Sequence, residues 1–329
     1  MAVAQKEAAI WYFGFNAGVD FNSGSPVTLT DGALYTDEGC STISDSNGNL
    51  LFYTDGITVW NRNHNAMPNG TGLFGDEDST QSGLIVPRPG SPDIYYVFTT
   101  DKQAGHKGMC YSEVNMSLDA GLGDVTSIKN INLIPRSLEK VTAVKSQDGS
   151  GIWVIGHPWD SNKFNSFFVT ASGIDVTPVE SITSLTLTYP PGTDGTNSSV
   201  GQLKVSPDGN KIAMCTATVG THVFDFDSQN GTISNIVQIS DRKLDYGVEF
   251  SSSGKVLYVA SDGGTYVGKL YQYDMNAMDI GASEVLIAAE YGLGFALQIA
   301  IDGKIYMPDV GANLHSIDNP DILGAGCNF

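Results

Sequence analysis

Apolar and polar positions alternate along most of the chain, and the alternating runs come in pairs around a short polar turn. The pattern reads CSTISDSNGNLLFYTDG from Cys40, SGLIVPRPGSPDIYYVFTT from Ser82 and VTAVKSQDGSGIWVIGH from Val141. It returns as GQLKVSPDGNKIAMCTA from Gly201, YGVEFSSSGKVLYVAS from Tyr246 and ALQIAIDGKIYMPD from Ala296. A period of two marks strands with one buried face. The turns carry Gly48, Gly149, Gly209, Gly254 and Gly303, because tight hairpins need the positive φ that glycine adopts freely. The second copy turns instead through Pro89-Gly90-Ser91-Pro92.

After each hairpin comes a third strand ending in a polar loop: ITVWNRN, MCYSEVN, NSFFVTAS, HVFDFDS, KLYQYDM and NLHSIDN. Gly209, Gly254 and Gly303 stand 45 and 49 residues apart, the period of one four-stranded propeller blade. No stretch holds a helical apolar period, so the expectation is an all-β chain folded as one β-propeller over residues 1–329. Residues 1–8 are expected to form a flexible leader. Six copies fill residues 40 to about 322. The segments IWYFGFNAGVDFN and PVTLTDGALYTD are read as outer strands of the first blade that contribute to a seventh. Seven four-stranded antiparallel blades, closed by strands from both termini, are expected, with six as the alternative and the last blade open to being incomplete.

Charge narrows the partners. Lys and Arg number 17 against 36 Asp and Glu, a net charge of −19. Such a polyanion is repelled by nucleic acid backbones and by anionic membrane surfaces. No apolar run reaches the length of a membrane span, so neither nucleic acid binding nor membrane insertion is expected. Cys40, Cys110, Cys215 and Cys327 are far apart in sequence. That spacing excludes a CxxC site and predicts buried thiols without an essential disulfide.

The runs IWYFGFNAGVDFN, DEGCSTISDSNGNLLFYTDGITVWNRNHNAMPNGTGLFG and STQSGLIVPRPGSPDIYYVFT, with LKVSPDGNKIA and LQIAIDGKIYMPD further on, resemble one family. It is the β-propeller module of large surface and secreted proteins exported by the type IX secretion system of gliding bacteria. Those proteins often carry PKD-like repeats and a C-terminal sorting domain. The resemblance covers nearly the whole chain in order. It implies an extracellular or cell-surface propeller, working beside the other domains of a larger parent protein, with a binding or adhesion role and no assigned catalytic residues. The family continues through a further strand where this chain reads GAGCNF, so the chain is expected to be an excised module.

Candidate chemistry comes last. No G-x-S-x-G elbow, H-E-x-x-H or Walker loop occurs, and no cofactor is evident. Asp45–Asn49 has oxygen donors at alternate positions, but Gly48 sits where a hairpin needs it. The run Asp76, Glu77 and Asp78 is the better calcium candidate. The loops that feed the innermost strands converge on one face of a propeller. They carry Glu38, Ser79, Gln81, Glu139, Lys140, Asn197, Ser198, Asp245, Tyr246 and Phe295. In GHPWDSNKF, His157, Trp159 and Asp160 combine a stacking surface with hydrogen-bonding groups, the other reading of Trp159 being an anchor from one blade to the next. The expected ligand site is therefore Glu38, Gln81, His157, Trp159, Asp160, Asp245 and Tyr246, taking a carbohydrate or a surface protein. The competing readings are a lactonase- or lyase-type enzyme, which needs His157, His222, Glu38 and Asp245 in one pocket, and a structural spacer.

Overall fold

The computed structural model describes residues 6–187, 198–262, 267–292 and 294–329. Its strands form seven antiparallel sheets. Blade 1 holds β1 (Ile10–Phe13), β2 (Ala17–Asp20) and β3 (Val27–Leu29). Blade 2 holds β4 (Ser41–Ser44), β5 (Leu50–Thr54), β6 (Thr58–Asn61) and β7 (Ala66–Thr71). Blade 3 holds β8 (Gly83–Pro87), β9 (Ile94–Thr100), β10 (Met109–Asn115), β11 (Asp124–Val125) and β12 (Ile131–Ile134). Blade 4 holds β13 (Ser137–Lys145), β14 (Ile152–Pro158), β15 (Ser161–Thr170), β16 (Gly173–Ile174) and β17 (Val179–Leu187). Blade 5 holds β18 (Leu203–Val205), β19 (Lys211–Thr216), β20 (Gly220–Asp227) and β21 (Thr232–Ser240). Blade 6 holds β22 (Asp245–Phe250), β23 (Val256–Asp262), β24 (Val267–Asp274) and β25 (Val285–Tyr291). Blade 7 holds β26 (Gln298–Ile299), β27 (Ile305–Pro308) and β28 (Leu314–Ile317).

The chain is a seven-bladed β-propeller, as the repeat predicts. In blades 3 and 4 the fourth-strand position is shared by two short strands on one partner, β11 with β12 on β10 and β16 with β17 on β15. Only 3-10 turns interrupt the strands among the described residues. The turn glycines Gly48, Gly149, Gly209, Gly254 and Gly303 all take positive φ, between 71° and 88°.

A lone sheet would expose two apolar faces, and stacking removes both. Seven apolar clusters lie between successive blades. Phe52 and Val97 join blades 2 and 3, Phe98 and Phe167 join 3 and 4, and Phe164 and Phe224 join 4 and 5. Val248 and Ala213 join 5 and 6, Tyr258 and Met307 join 6 and 7, and Tyr12 and Tyr53 join 1 and 2. The ring closes where Trp11 and Phe21 of blade 1 meet Tyr306 of blade 7, with centroids 5.8 and 5.3 Å away.

That closure differs from the expected one. Thr36 N–H donates to Gly14 O and Thr36 Oγ1 to Glu77 O. The end of β1 therefore lies on the face where the inner strands of later blades begin, called the top face below. β1 runs in the sense of a second strand, so β1–β3 are the outer strands of their blade, as read from sequence. Among the described residues, however, no blade combines strands from the two ends of the chain. Blade 1 has no innermost strand and blade 7 no outermost one among the described residues. After β28 the chain turns onto blade 6 instead. There Tyr258 Oη donates to Pro320 O and Gln272 Nε2 to Ile322 O. Lys6–Ala8, expected within a flexible leader, form a 3-10 turn. All four cysteines are free; Cys110, Cys215 and Cys327 are buried and Cys40 is partly buried.

Candidate functional site

The first strands of successive blades touch one another around the axis, and the loops feeding them gather on the top face. The geometry there is that of an internally bonded plug. Glu139, with no exposed surface, accepts from Thr80 N–H and Thr80 Oγ1 at 2.9 Å, Gln103 N–H at 2.7 Å and Ser199 Oγ at 2.8 Å. The neighbouring Lys140, equally buried, donates from Nζ to Ser199 O at 2.9 Å and Gly201 O at 2.6 Å. Burial lowers its pKa to about 7, against the pull of Glu139. A neutral amine has two N–H groups, and both find a carbonyl here.

Both side chains reach inward because β13 is irregular. Its register against β14 shifts between Ser137 and Val141, and such a bulge re-aims side chains that strict alternation would put on opposite faces. Gln81 extends from blade 3 to blade 5, where its amide bonds both Leu203 N–H at 2.8 Å and Leu203 O at 3.2 Å. Gln202 accepts from Val248 N–H and Leu297 N–H, one each on blades 6 and 7. At Gly247 an added Cβ would lie 1.8 Å from Phe295 O, so only glycine lets these two loops pass.

Glu38 sits beside Tyr246 and Thr80 in the same cluster. Burial, then the charge of Glu139, raises its pKa to about 8. Its Oε2 atom is buried without a hydrogen-bond partner. The phenol of Tyr246 is pushed up by burial and by Glu38. A carboxyl whose folded pKa lies above its unfolded value lowers stability as pH rises between the two. Replacing Glu38 by Gln should therefore change little at pH 4 and stabilise the fold by about 2 kcal/mol at pH 8, after discounting for partial exposure. Urea titrations at both pH values read this directly; an equal gap at the two would refute it.

The remaining expected residues are scattered. His157 is fully buried in blade 4, edge-on to Phe164 at 4.7 Å, with Nδ1 donating to Pro158 O at 2.7 Å and Nε2 unpartnered. Trp159, read from sequence as either an exposed platform or an anchor between blades, is half-buried and packs on the core between blades 4 and 5. Replacing it with alanine should cost about 2 kcal/mol, less than for a fully buried aromatic, and leave ligand capture on an array unchanged. An unaltered melting temperature would restore the platform reading. Asp160 is exposed at the β14–β15 turn with φ +55°. Asp245 is fully buried, accepting from Thr221 Oγ1 at 2.8 Å and facing Arg242 Nε at 3.3 Å. Ser79 bonds Thr100 and Ser198 bonds Thr218, while Asn197 lies outside the described residues. Asp76 and Asp78, from the proposed calcium run, face Lys102 at 3.2 and 3.8 Å, and the Glu77 carbonyl accepts from Glu38 N–H. At the Asp45 turn the carboxylate accepts from Asn47 N–H and Asn49 N–H, as in an ordinary hairpin.

One open feature escaped the sequence reading. Arg242, on the loop feeding β22, separates two hollows. One, about 270 Å³, lies against Lys243, Asp262, Lys269 and Tyr271. The other, about 470 Å³, lies against Ser240, Asp241 and Glu284. The signal was present: Arg242-Lys243 is the one adjacent pair among the 17 cations.

The sequence matches no protein-family model and no curated protein. Among solved structures, the β-propeller domain of Cps50 (Swd1) from Myceliophteria thermophila aligns over 93% of this chain and 94% of its own, at 10% identity and a TM-score of 0.51. Hsv2 from Kluyveromyces lactis aligns over 94% and 90%, at 10% identity and a TM-score of 0.49. A protein from Bacteroides uniformis ATCC 8492, provisionally described as a 6-phosphogluconolactonase, aligns over 85% and 95%, at 11% identity and a TM-score of 0.42. At these identities the likeness is one of fold.

Proposed function

We propose that the chain is a non-catalytic binding module, outside the cell or at its surface, that holds a carbohydrate or protein ligand against its top face. One observation carries this reading. The four groups that acid–base chemistry would have to bring together line neither of the two hollows. Asp245 is buried against Thr221 and Arg242, and Glu38 lies beside Tyr246 and Thr80. His157 and His222 are buried, and burial holds each near a pKa of about 4. A general acid or base works within hydrogen-bond reach of its substrate and with a pKa near the working pH; buried histidines this far below neutrality lack both.

The plug supports the same reading from another side. It makes the top face a rigid platform on which exposed loops are presented, the arrangement that suits binding residues held by a scaffold. Further domains of a parent protein are the expected neighbours. Glycan and peptide arrays probed with the whole chain, run beside a panel of lactones, test the proposal. Specific capture without turnover is the expected result. Lactone hydrolysis that follows protein concentration and is lost in a Glu38→Gln or His157→Gln variant would overturn it.

A further inference from the structure

The hollow beside Arg242 reverses the sign of the molecule. The chain has 36 acidic side chains and 17 basic ones, yet this lining brings Arg242, Lys243 and Lys269 against one carboxylate, Asp262. Arg242 is a fixed wall. Its guanidinium stacks 3.7 Å from the Tyr271 centroid and bonds Glu284 at 2.5 Å, Tyr273 Oη at 2.6 Å and Asp245 at 3.3 Å. Asp245 and Glu284 offset its charge. Lys243 and Lys269 are different, since neither forms an ion pair among the described residues. In a polyanion, two unpaired cations on one concave surface leave a positive local potential that an anion would complete.

The backbone adds a second observation. Leu244 has φ +68°, a conformation that a branched side chain adopts only when its surroundings impose it. Three hydrogen bonds do so: Leu244 N–H to Ala217 O, and Asp262 N–H and Ser261 Oγ to Leu244 O. The first ties the Arg242-Lys243 loop to the end of β19 and the other two tie it to β23, next to Lys269 on β24, and so build the hollow from three segments. Strain of this kind collects at ligand sites.

We propose that this hollow binds an oxyanion carried on a sugar-sized molecule, such as the carboxylate of a uronic acid, with Lys243 and Lys269 as the charged contacts. The volume of about 270 Å³ admits one monosaccharide ring. The proposal deepens the binding-module reading and rests on it only for the sugar; the anion site stands on its own lining.

Calorimetric titration of the whole chain with D-glucuronate, inorganic sulfate and D-glucose tests it. Glucuronate and sulfate should bind, weakening as sodium chloride rises, and glucose should give no heat. The Lys243→Met/Lys269→Gln double variant should lose about tenfold or more in glucuronate affinity with an unchanged melting temperature. Lys243→Met alone, at an exposed position, serves if the double variant unfolds. Absence of glucuronate binding, equal binding of glucose, or affinity untouched by the variants would overturn the proposal. Capture of an uncharged glycan on an array while glucuronate fails would remove the anion site and leave the module reading intact. Lactone turnover beside normal glucuronate binding would do the reverse.

Discussion

Replacing Glu139 by alanine should destabilise the propeller by about 4 kcal/mol, the scale for removing one partner from a buried charged cluster. Four donors lose their acceptor, and two of them, Thr80 N–H and Gln103 N–H, are backbone groups. An orphaned buried donor costs about 1–3 kcal/mol. Three blades share the loss, because Glu139 opens blade 4 while Thr80 feeds blade 3 and Ser199 feeds blade 5. Scaling the melting entropy with chain length, the loss corresponds to a drop of about 6 °C in melting temperature. Glu139→Gln keeps the shape but turns one acceptor into a donor, so it should recover less than half of the stability. Urea titration of the three proteins measures this. A Glu139→Ala variant within about 0.5 kcal/mol of the parent, the range of ordinary surface changes, would show that the plug is dispensable.

Acidification from pH 7 to 4 should remove about 5 kcal/mol through His157 and His222 together. Burial holds both near a pKa of about 4, against 6.5 for a free imidazole. Between those values the unfolded chain binds more protons than the folded one, so stability falls as pH falls through the window. Each shift is worth up to about 3 kcal/mol. The cause is visible: His157 has an unpartnered Nε2 and His222 an unpartnered Nδ1, both stand against phenylalanine rings, and the charge of Lys140 adds to the effect of burial at His157. Glu38 acts with the opposite sign over part of the range, gaining stability on protonation as pH falls from 8. The variants separate the terms. His222→Leu should remove about half of the histidine contribution, and Glu38→Gln should steepen the fall between pH 7 and about 4.5, because the opposing Glu38 contribution is gone. A His222→Leu curve parallel to the parent between pH 6.5 and 4 would contradict the assignment.

The fold was legible where a local rule determines it. Gly209 and Gly254 announced hairpins because positive φ is a local demand, and the spacing between them announced the blade. The position of Trp159 was not legible, since a Trp beside Pro158 and Asp160 reads the same whether its ring faces solvent or the next blade. Glu139 and Lys140 show the deeper reason. Both were placed in the right loop, but the register shift at the start of β13 turns both inward, and alternation alone assigns neighbours to opposite faces. The same holds at Asp245, where β22 shifts register before Gly247. Side chains at the tops of inner strands are thus where the period of two stops being informative. The Arg242 hollow went unread for another reason: its walls come from β23, β24 and the loop before β22, and no single stretch of sequence contains it.

Blades 1 and 7 meet through Trp11, Phe21 and Tyr306 without a shared sheet. Among the described residues, parting them breaks no ladder hydrogen bond. Folding then resembles the growth of a solenoid, in which each blade docks on its neighbour, with the bonds of Gln81 and Gln202 across the axis added as blades 5 and 7 arrive. The final step, bringing blade 7 onto blade 1, bears the entropy of closing a loop of nearly the whole chain, offset by one aromatic interface. The arc of blades 2 to 6 is expected to protect its amides longest in hydrogen exchange, with Tyr12 and Tyr306 exchanging ahead of Tyr258 and Val97.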